Sequence, residues 1–336
     1  MLVINLKMNS VMFNSKKLLL VTSLLLFICI TTFAQMPIKR AGVSYVKTSL
    51  NAFSFSKLLN NYNKNQSRDS GMSMFDLLDF CADNNFDAVD ITGYFFPGYP
   101  KVPSDSFINA VKHRAHILGL DISGTGVRND LASLDPAKRA ADVKHIKEWI
   151  DVAAKLGAPV VRVFSGVIPK GYENKWDSIA GYMVASLKEC AEYGKLRGVL
   201  VGVQNHGDFL KTADETIKLV KLVDSEWFGI IVDTGYFITD DPYVDIAKVM
   251  PYAVNFQVKE SPFGVLSRTR IDLKRLMKII RDSGYRGYIP IETLADKVMK
   301  GQPKPAIPFR PYDPYKLVPA FHQEVKAAMR EAYKGI

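Results

Sequence analysis

Leu200 to Phe209 reads L-V-G-V-Q-N-H-G-D-F, an apolar run that turns polar within one residue. Its first half, apolar with a single glycine, has the composition of a strand covered on both faces in a parallel sheet. Gln204, Asn205 and His206 therefore sit where that strand stops. With a side-chain period of two, Gln204 and His206 share one face and Asn205 takes the other. Three later stretches repeat the grammar. Phe228 to Asp233 (F-G-I-I-V-D) closes on a carboxylate, Ala253 to Glu260 (A-V-N-F-Q-V-K-E) carries Gln257, Lys259 and Glu260, and Tyr288 to Glu292 (Y-I-P-I-E) closes on a second carboxylate. Four successive strands thus deliver polar groups at their C-terminal ends.

Working outward, the same alternation fills the chain. Ala41 to Thr48 reads as a first strand, followed by an Asn- and Ser-rich connection from Ser49 to Gly71. A helix over Met72 to Asn84, with Met74, Leu77, Leu78 and Cys81 at helical spacing, leads to a strand over Phe86 to Ile91. A helix from Ser104 to Leu118 precedes the strand Asp121 to Gly126, and Asp135 opens a long helix that Gly157 stops before the strand Pro159 to Phe164. Helices over Trp176 to Arg197, Thr212 to Val223, Pro242 to Met250, Ile271 to Asp282 and Leu317 to Tyr333 complete eight strand-helix pairs. Eight pairs over about 300 residues predict an α/β fold of one closed (β/α)8 TIM barrel rather than an open sheet. The G-x-G at Gly124 and Gly126 lacks the third glycine and the later acid of a dinucleotide fingerprint. The loops from Ser49 to Gly71 and from Lys297 to Pro314 are candidate lids, since both emerge at the C-terminal face.

The first 34 residues stand outside that count. Lys16 and Lys17 precede an apolar run from Leu18 to Ile30, followed by Thr32-Phe33-Ala34, the three regions of a secretory signal. The run is too short for a bilayer span, so cleavage after Ala34, a barrel over 35–336 and a periplasmic or secreted product with no membrane attachment are the expectations. The chain has 44 lysines and arginines against 34 acids. The leader removes three lysines and no acid, and the remaining excess is scattered with no basic run among aromatics, which argues against a nucleic-acid partner. Cys81 and Cys190, the cysteines beyond the leader, fall inside amphipathic helical patterns and read as core.

Polar groups at the strand ends of such a barrel converge on its active-site face. Asp233 and Glu292 each close an apolar strand, so each is partly desolvated and needs a cation nearby. Two carboxylates with the amide oxygens of Gln204 and Gln257 make an oxygen set of charge −2. One hard divalent ion, Mn²⁺ or Mg²⁺ in preference to Zn²⁺, would neutralise it, with His206 able to add a nitrogen. Arg162, inside V-V-R-V-F, should point into the polar lumen, either to balance an acid or to hold substrate. Asp90 and Tyr94 end the second strand near the mouth. His113, His116, His145 and His322 fall on helices, where packing or solvation accounts for them.

The motifs V-Q-N-H-G-D-F (203–209), F-G-I-I-V-D-T-G (228–235), N-F-Q-V-K-E (255–260) and G-Y-I-P-I-E-T (287–293) resemble the sugar phosphate isomerase/epimerase group of xylose isomerase-like barrels. That group is related to ketose 3-epimerases, inosose dehydratases and apurinic endonucleases. The resemblance implies one divalent metal held by a glutamate, an aspartate, a histidine and a glutamate after strands five to eight, at positions occupied here by Gln204, Asp233, Gln257 and Glu292. Two of the four depart from the pattern. In epimerases of the group the two glutamates exchange protons with opposite faces of the substrate, and Gln204 cannot take a proton.

These readings give an exported, metal-dependent enzyme that enolises a small sugar or keto-sugar, an isomerase by resemblance. Glu292 is the candidate base, Lys259 or His206 its acid or oxyanion partner, and Arg162, Asn205, Tyr94 and Glu260 the candidate substrate contacts. A lyase or hydratase acting through the same enediolate is the nearest alternative. A noncatalytic carbohydrate-binding barrel, suggested by the two glutamines, is the next.

Overall fold

The computed structural model describes residues 35–206, 209–260, 270–295 and 311–335. The leader expected over residues 1–34 lies outside them, as does nearly all of the lid expected over 297–314. Eight parallel strands close on themselves in chain order: β1 (Tyr45–Asn51), β2 (Ala88–Thr92), β3 (Asp121–Gly126), β4 (Val160–Phe164), β5 (Leu200–Gln204), β6 (Phe228–Asp233), β7 (Ala253–Lys259) and β8 (Arg286–Glu292). The last strand pairs with the first, Tyr45 opposite Arg286 and Leu50 opposite Ile291, so no edge is left unpaired. The expected (β/α)8 barrel is the fold.

Nine helices of the described residues pack outside it: α1 (Ser56–Asn65), α2 (Met74–Asp83), α3 (Asp105–Ile117), α4 (Pro136–Leu156), α5 (Trp176–Arg197), α6 (Ala213–Val223), α7 (Pro242–Val249), α8 (Leu273–Asp282) and α9 (Pro314–Ala332). None of these is long and apolar enough to cross a membrane. Local chemistry sets their ends. Ser73 with Asp76, and Thr212 with Glu215, form reciprocal capping boxes. Asp135 caps α4 with Pro136 in its first turn, and Gly157 ends it in the left-handed region at φ 80°. Cys81 and Cys190 are fully buried free thiols, and burial pushes the Cys190 thiol up to about 12, so neither is a nucleophile.

Two expectations need correction. Strand β1 runs three residues beyond Thr48, because the alternation of its polar residues continues into the lumen through Ser49 and Asn51. The connection from Ser49 to Gly71 is largely ordered, a short 3₁₀ turn at Ala52–Phe55 followed by α1. Its Asn-rich sequence N-N-Y-N-K-N has weak helix propensity, and α1 buries only Leu59, so little in the local pattern announces it.

The lumen is polar, and the glycines of β3 make room in it. A Cβ on Gly126 would lie 2.6 Å from Arg162 Nε, and one on Gly124 would lie 2.8 Å from Asp90 Oδ2. The G-x-G therefore lets Arg162 cross from β4 over β3 toward β2, a packing role and not phosphate binding.

His322, on α9, is fully buried, with its ring stacked on Phe86 at 3.8 Å and Nε2 3.0 Å from Thr48 Oγ1. The Thr48 hydroxyl donates its one proton to Asp87 Oδ2, so Nε2 carries the imidazole proton and donates to Oγ1. Burial, aided by Lys326, lowers the imidazole pKa to about 4 from 6.5. The unfolded chain takes up this proton at higher pH than the fold does. Stability is therefore full above pH 6.5 and is lost progressively as pH falls to 4, by up to roughly 3 kcal/mol. The melting temperature of the protein is expected to fall on the order of 5–10 °C more between pH 7 and pH 4 than that of His322→Phe, which keeps the stack and cannot charge. Parallel acid dependence of the two would refute this account.

Candidate active site

The C-terminal ends of β5 to β8 bring Gln204, Asp233, Gln257, Lys259 and Glu292 together, and all but the fully buried Asp233 line a cavity of about 430 Å³. Asp233, fully buried, receives three hydrogen bonds. Gly235 N–H donates to Oδ1 at 2.9 Å, while Gln204 Nε2 at 2.5 Å and Lys259 Nζ at 2.6 Å donate to Oδ2. The same ammonium lies 3.6 Å from Glu292 Oε2 and 4.4 Å from the centre of the Tyr236 ring. Gln257 Nε2 donates to Glu292 Oε2. The other carboxylate oxygen of Glu292, Oε1, takes no hydrogen bond from the described residues.

The amide orientations follow from a chain of obligations that starts at the main chain. The Phe53 N–H donates to Asn51 Oδ1 at 2.8 Å, which turns the Asn51 NH₂ outward. Asn51 Nδ2 then donates to Gln257 Oε1 at 2.8 Å, and Gln257 has only its NH₂ left to give Glu292. Asp233 likewise fixes the NH₂ of Gln204, since an amide oxygen there would face a carboxylate oxygen. Both glutamines meet the acids as donors.

Electrostatics follow from burial. Desolvation raises the Glu292 carboxyl above its usual range, only partly opposed by Lys259. Burial works against the Lys259 ammonium, but Asp233 and Glu292 outweigh it and the pKa is raised, so Lys259 stays protonated. Asp90, deeper in the lumen, is pushed up to about 6 by burial, with Arg162 opposing and Glu292 adding to the shift.

These residues do not fit the divalent ion that the sequence suggests. The amide oxygen of Gln257 is turned to Asn51, the NH₂ groups of both glutamines point at the acids, and an ammonium already bridges the two carboxylates. A doubly charged ion held 4 Å from that ammonium would be repelled by roughly 8 kcal/mol at an effective dielectric of 20. Among the described residues no group of three or more His, Cys, Asp or Glu side chains could hold a metal.

Phe53, Tyr94, Phe164, His206 and Tyr236 bring aromatic rings to the walls of the cavity. Arg162, 8 % exposed, donates through Nη2 to Tyr94 OH at 2.9 Å and lies over the Phe164 ring at 4.1 Å. Its Nη1 is buried with no acceptor among the described residues, so Arg162 balances neither acid directly and keeps a donor for something else. The His206 ring packs 3.9 Å from Tyr236 and 4.9 Å from Phe164, on the cavity side with Gln204 as the strand period requires. Two expected substrate contacts are placed elsewhere. Asn205 clamps the end of β6, donating to Asp233 O at 2.9 Å and accepting from Asp233 N–H at 2.8 Å. Glu260 accepts from Arg270 Nη2 at 3.0 Å, behind the strand end. Each follows an inward residue, Gln204 or Lys259, and so points away from the lumen, which leaves neither in reach of a substrate in the cavity. Asn51, Phe53 and Tyr236 line the cavity without having been anticipated. Asn51 was hidden by the early end given to β1, whereas Tyr236 sits in the loop after β6, where no periodicity exists to read.

Comparison with known proteins agrees with this architecture. An uncharacterized protein of Methanocaldococcus jannaschii is 24 % identical over 174 residues, 48 % of this chain and 59 % of that one, so the match spans little more than half of the relative. The structure of D-psicose 3-epimerase with D-tagatose from Clostridium cellulolyticum H10 superposes with a TM-score of 0.59 at 21 % identity, over 74 % of this chain and 84 % of that one. The 3-keto-D-glucoside 4-epimerase of E. coli superposes with a TM-score of 0.61 at 14 % identity, over 84 % of this chain and all of the other. At such identities the likeness is one of fold. A family model described as xylose isomerase-like TIM barrel matches residues 78–309, more than half of the sequence, and the chain therefore belongs to the xylose isomerase-like TIM barrel family.

Proposed function

We propose that this protein is a sugar isomerase/epimerase-like enzyme that enolises a ketone-bearing sugar, with Glu292 as the single base. The observation that carries the reading is a buried carboxylate, with one oxygen that takes no hydrogen bond from the described residues, set beside a buried ammonium in a cavity also lined by Phe53, Tyr94, Phe164 and Tyr236. The Lys259 N–H groups not given to Asp233 are placed to hold the substrate carbonyl oxygen, and a fixed positive charge there stabilises the enolate as it forms. Glu292 Oε1 removes the proton from the carbon next to that carbonyl, its raised pKa bringing its basicity closer to what the transfer needs. Arg162 Nη1 has a hydrogen bond to give to a substrate oxygen, and Tyr94, Phe164 and Tyr236 offer faces to the sugar ring.

With Gln204 opposite, the proton returns from the side it left. One base of this kind supports transfer between adjacent carbons or loss of a group beside the ketone, whereas inversion at one carbon needs a second base. A lyase acting through the same enolate is thus the alternative the geometry favours. The similar folds of sugar epimerases support the substrate class. In deuterated buffer, the protein is expected to exchange the α-proton of at least one member of a panel of ketoses and keto-glycosides, followed by proton NMR. Sugars that bind but exchange nothing across the panel would replace the enzyme reading with that of a carbohydrate-binding barrel.

A further inference from the structure

We infer that this site works without a divalent cation, the Lys259 ammonium standing where such an ion would neutralise Asp233 and Glu292. What the ammonium does in turnover rests on the enolisation reading above; whether the site takes metal does not.

Three observations converge. The first is geometric. The point within 2.6 Å of Asp233 Oδ2 and 3.6 Å of Glu292 Oε2 is held by a nitrogen, on a side chain that is 4 % exposed and cannot swing into solvent without leaving both acids unpaired in the interior. The second is the donor chemistry. A hard cation needs oxygen lone pairs aimed at it, yet Gln257 turns its oxygen to Asn51 and its NH₂ to Glu292, and the Asn51 orientation is set by a main-chain N–H. Turning that oxygen toward the acids means rotating the Gln257 amide and breaking two buried hydrogen bonds, from Asn51 and to Glu292. The third is charge. Asp233, Glu292 and Lys259 sum to −1, and a divalent ion would turn the floor of the cavity to +1 with Arg162 already nearby. Asp90, the remaining acid of the lumen, lies beside Arg162 and is in part offset by it.

The consequence is a change in how the substrate is held. A metal grips vicinal oxygens together, whereas an ammonium gives single hydrogen bonds, so the reacting carbonyl is held by Lys259 and its neighbouring hydroxyl by other groups such as Arg162.

The test is a Mn²⁺ titration followed by electron paramagnetic resonance, on full-length protein stripped with chelator and desalted. The parent protein is expected to leave the six-line signal of the aqueous ion at full amplitude up to millimolar Mn²⁺. The variant Gln204→Glu/Lys259→Met removes the ammonium and adds a third carboxylate, and is expected to quench the signal with affinity at least about 100-fold tighter. A parent that binds Mn²⁺, Mg²⁺ or Zn²⁺ stoichiometrically below about 10 μM overturns the inference, and this result does not depend on the variant folding. Substrate proton exchange separates the two readings. Exchange that appears only when metal is added refutes the metal-free site and upholds enolisation. Exchange that persists in excess chelator supports both. A parent that neither binds metal nor exchanges protons refutes enolisation and leaves the metal-free site standing.

Discussion

Glu292→Gln is expected to lower α-proton exchange by about 10³-fold, within the range that one positioned general base contributes, while leaving the fold intact. Glutamine matches glutamate in shape and can still accept from Gln257 Nε2 through its oxygen. Removing a buried carboxylate whose ionisation is already disfavoured leaves Lys259 paired with Asp233, so the stability change should be small. The comparison that matters is exchange rate against melting temperature. A variant that exchanges at the parental rate would show that Glu292 is a structural acid and that the proton goes elsewhere. The nearest candidates would then be His206 and Asp90.

Lys259→Met is expected to fail in both respects. It deletes the only cation in contact with Asp233 and Glu292 among the described residues, leaving two acids in the interior with amide donors alone. Breaking a buried pair in this way costs about 3–5 kcal/mol, a drop in melting temperature on the order of 10 °C for a domain of this size. Exchange should fall with it, because the enolate oxygen loses its positive partner. A second substitution separates the effects. In Lys259→Met/Asp233→Asn the unpaired charge is gone, so most of the stability should return while exchange stays low. If the single variant melted within about 2 °C of the parent, the acids would have to be held neutral, and the ammonium would not be what balances them.

Much of the fold was legible in the chain because the signals that specify it are local. Strands β3, β5 and β6 and helix α5 have the bounds their apolar runs and flanking polar residues predict, and Gly157 ends α4 as a C-terminal glycine should. Helix α1 escaped because the residues it packs inward, Leu59 buried and Leu58 partly so, are adjacent and are followed by a polar run, with no helical period to read. At the site, the identities of Gln204, Asp233, Gln257, Lys259 and Glu292 were readable, since each ends an apolar strand and the barrel gathers such ends. The strand period put Asn205 on the face opposite Gln204, where the structure has it, so what fails is the substrate contact expected of it; Glu260 lies past the last paired residue of β7, Lys259, where the period gives no guide.

By itself the sequence determined the closed barrel, the strands that carry the polar groups and the inward polar residues that end β5 to β8, because strand-helix alternation and inward-outward periodicity are written into neighbouring residues. Only the tertiary structure decided what those side chains do to one another. The atom that Gln257 shows to Glu292 is set by Asn51, 206 residues away in the chain. The reach of Lys259 from β7 to Asp233 on β6 turns an apparent metal cradle into a buried ion pair. Hydrogen-bond direction and charge pairing are properties of groups brought together in space, and no stretch of neighbouring residues contains them.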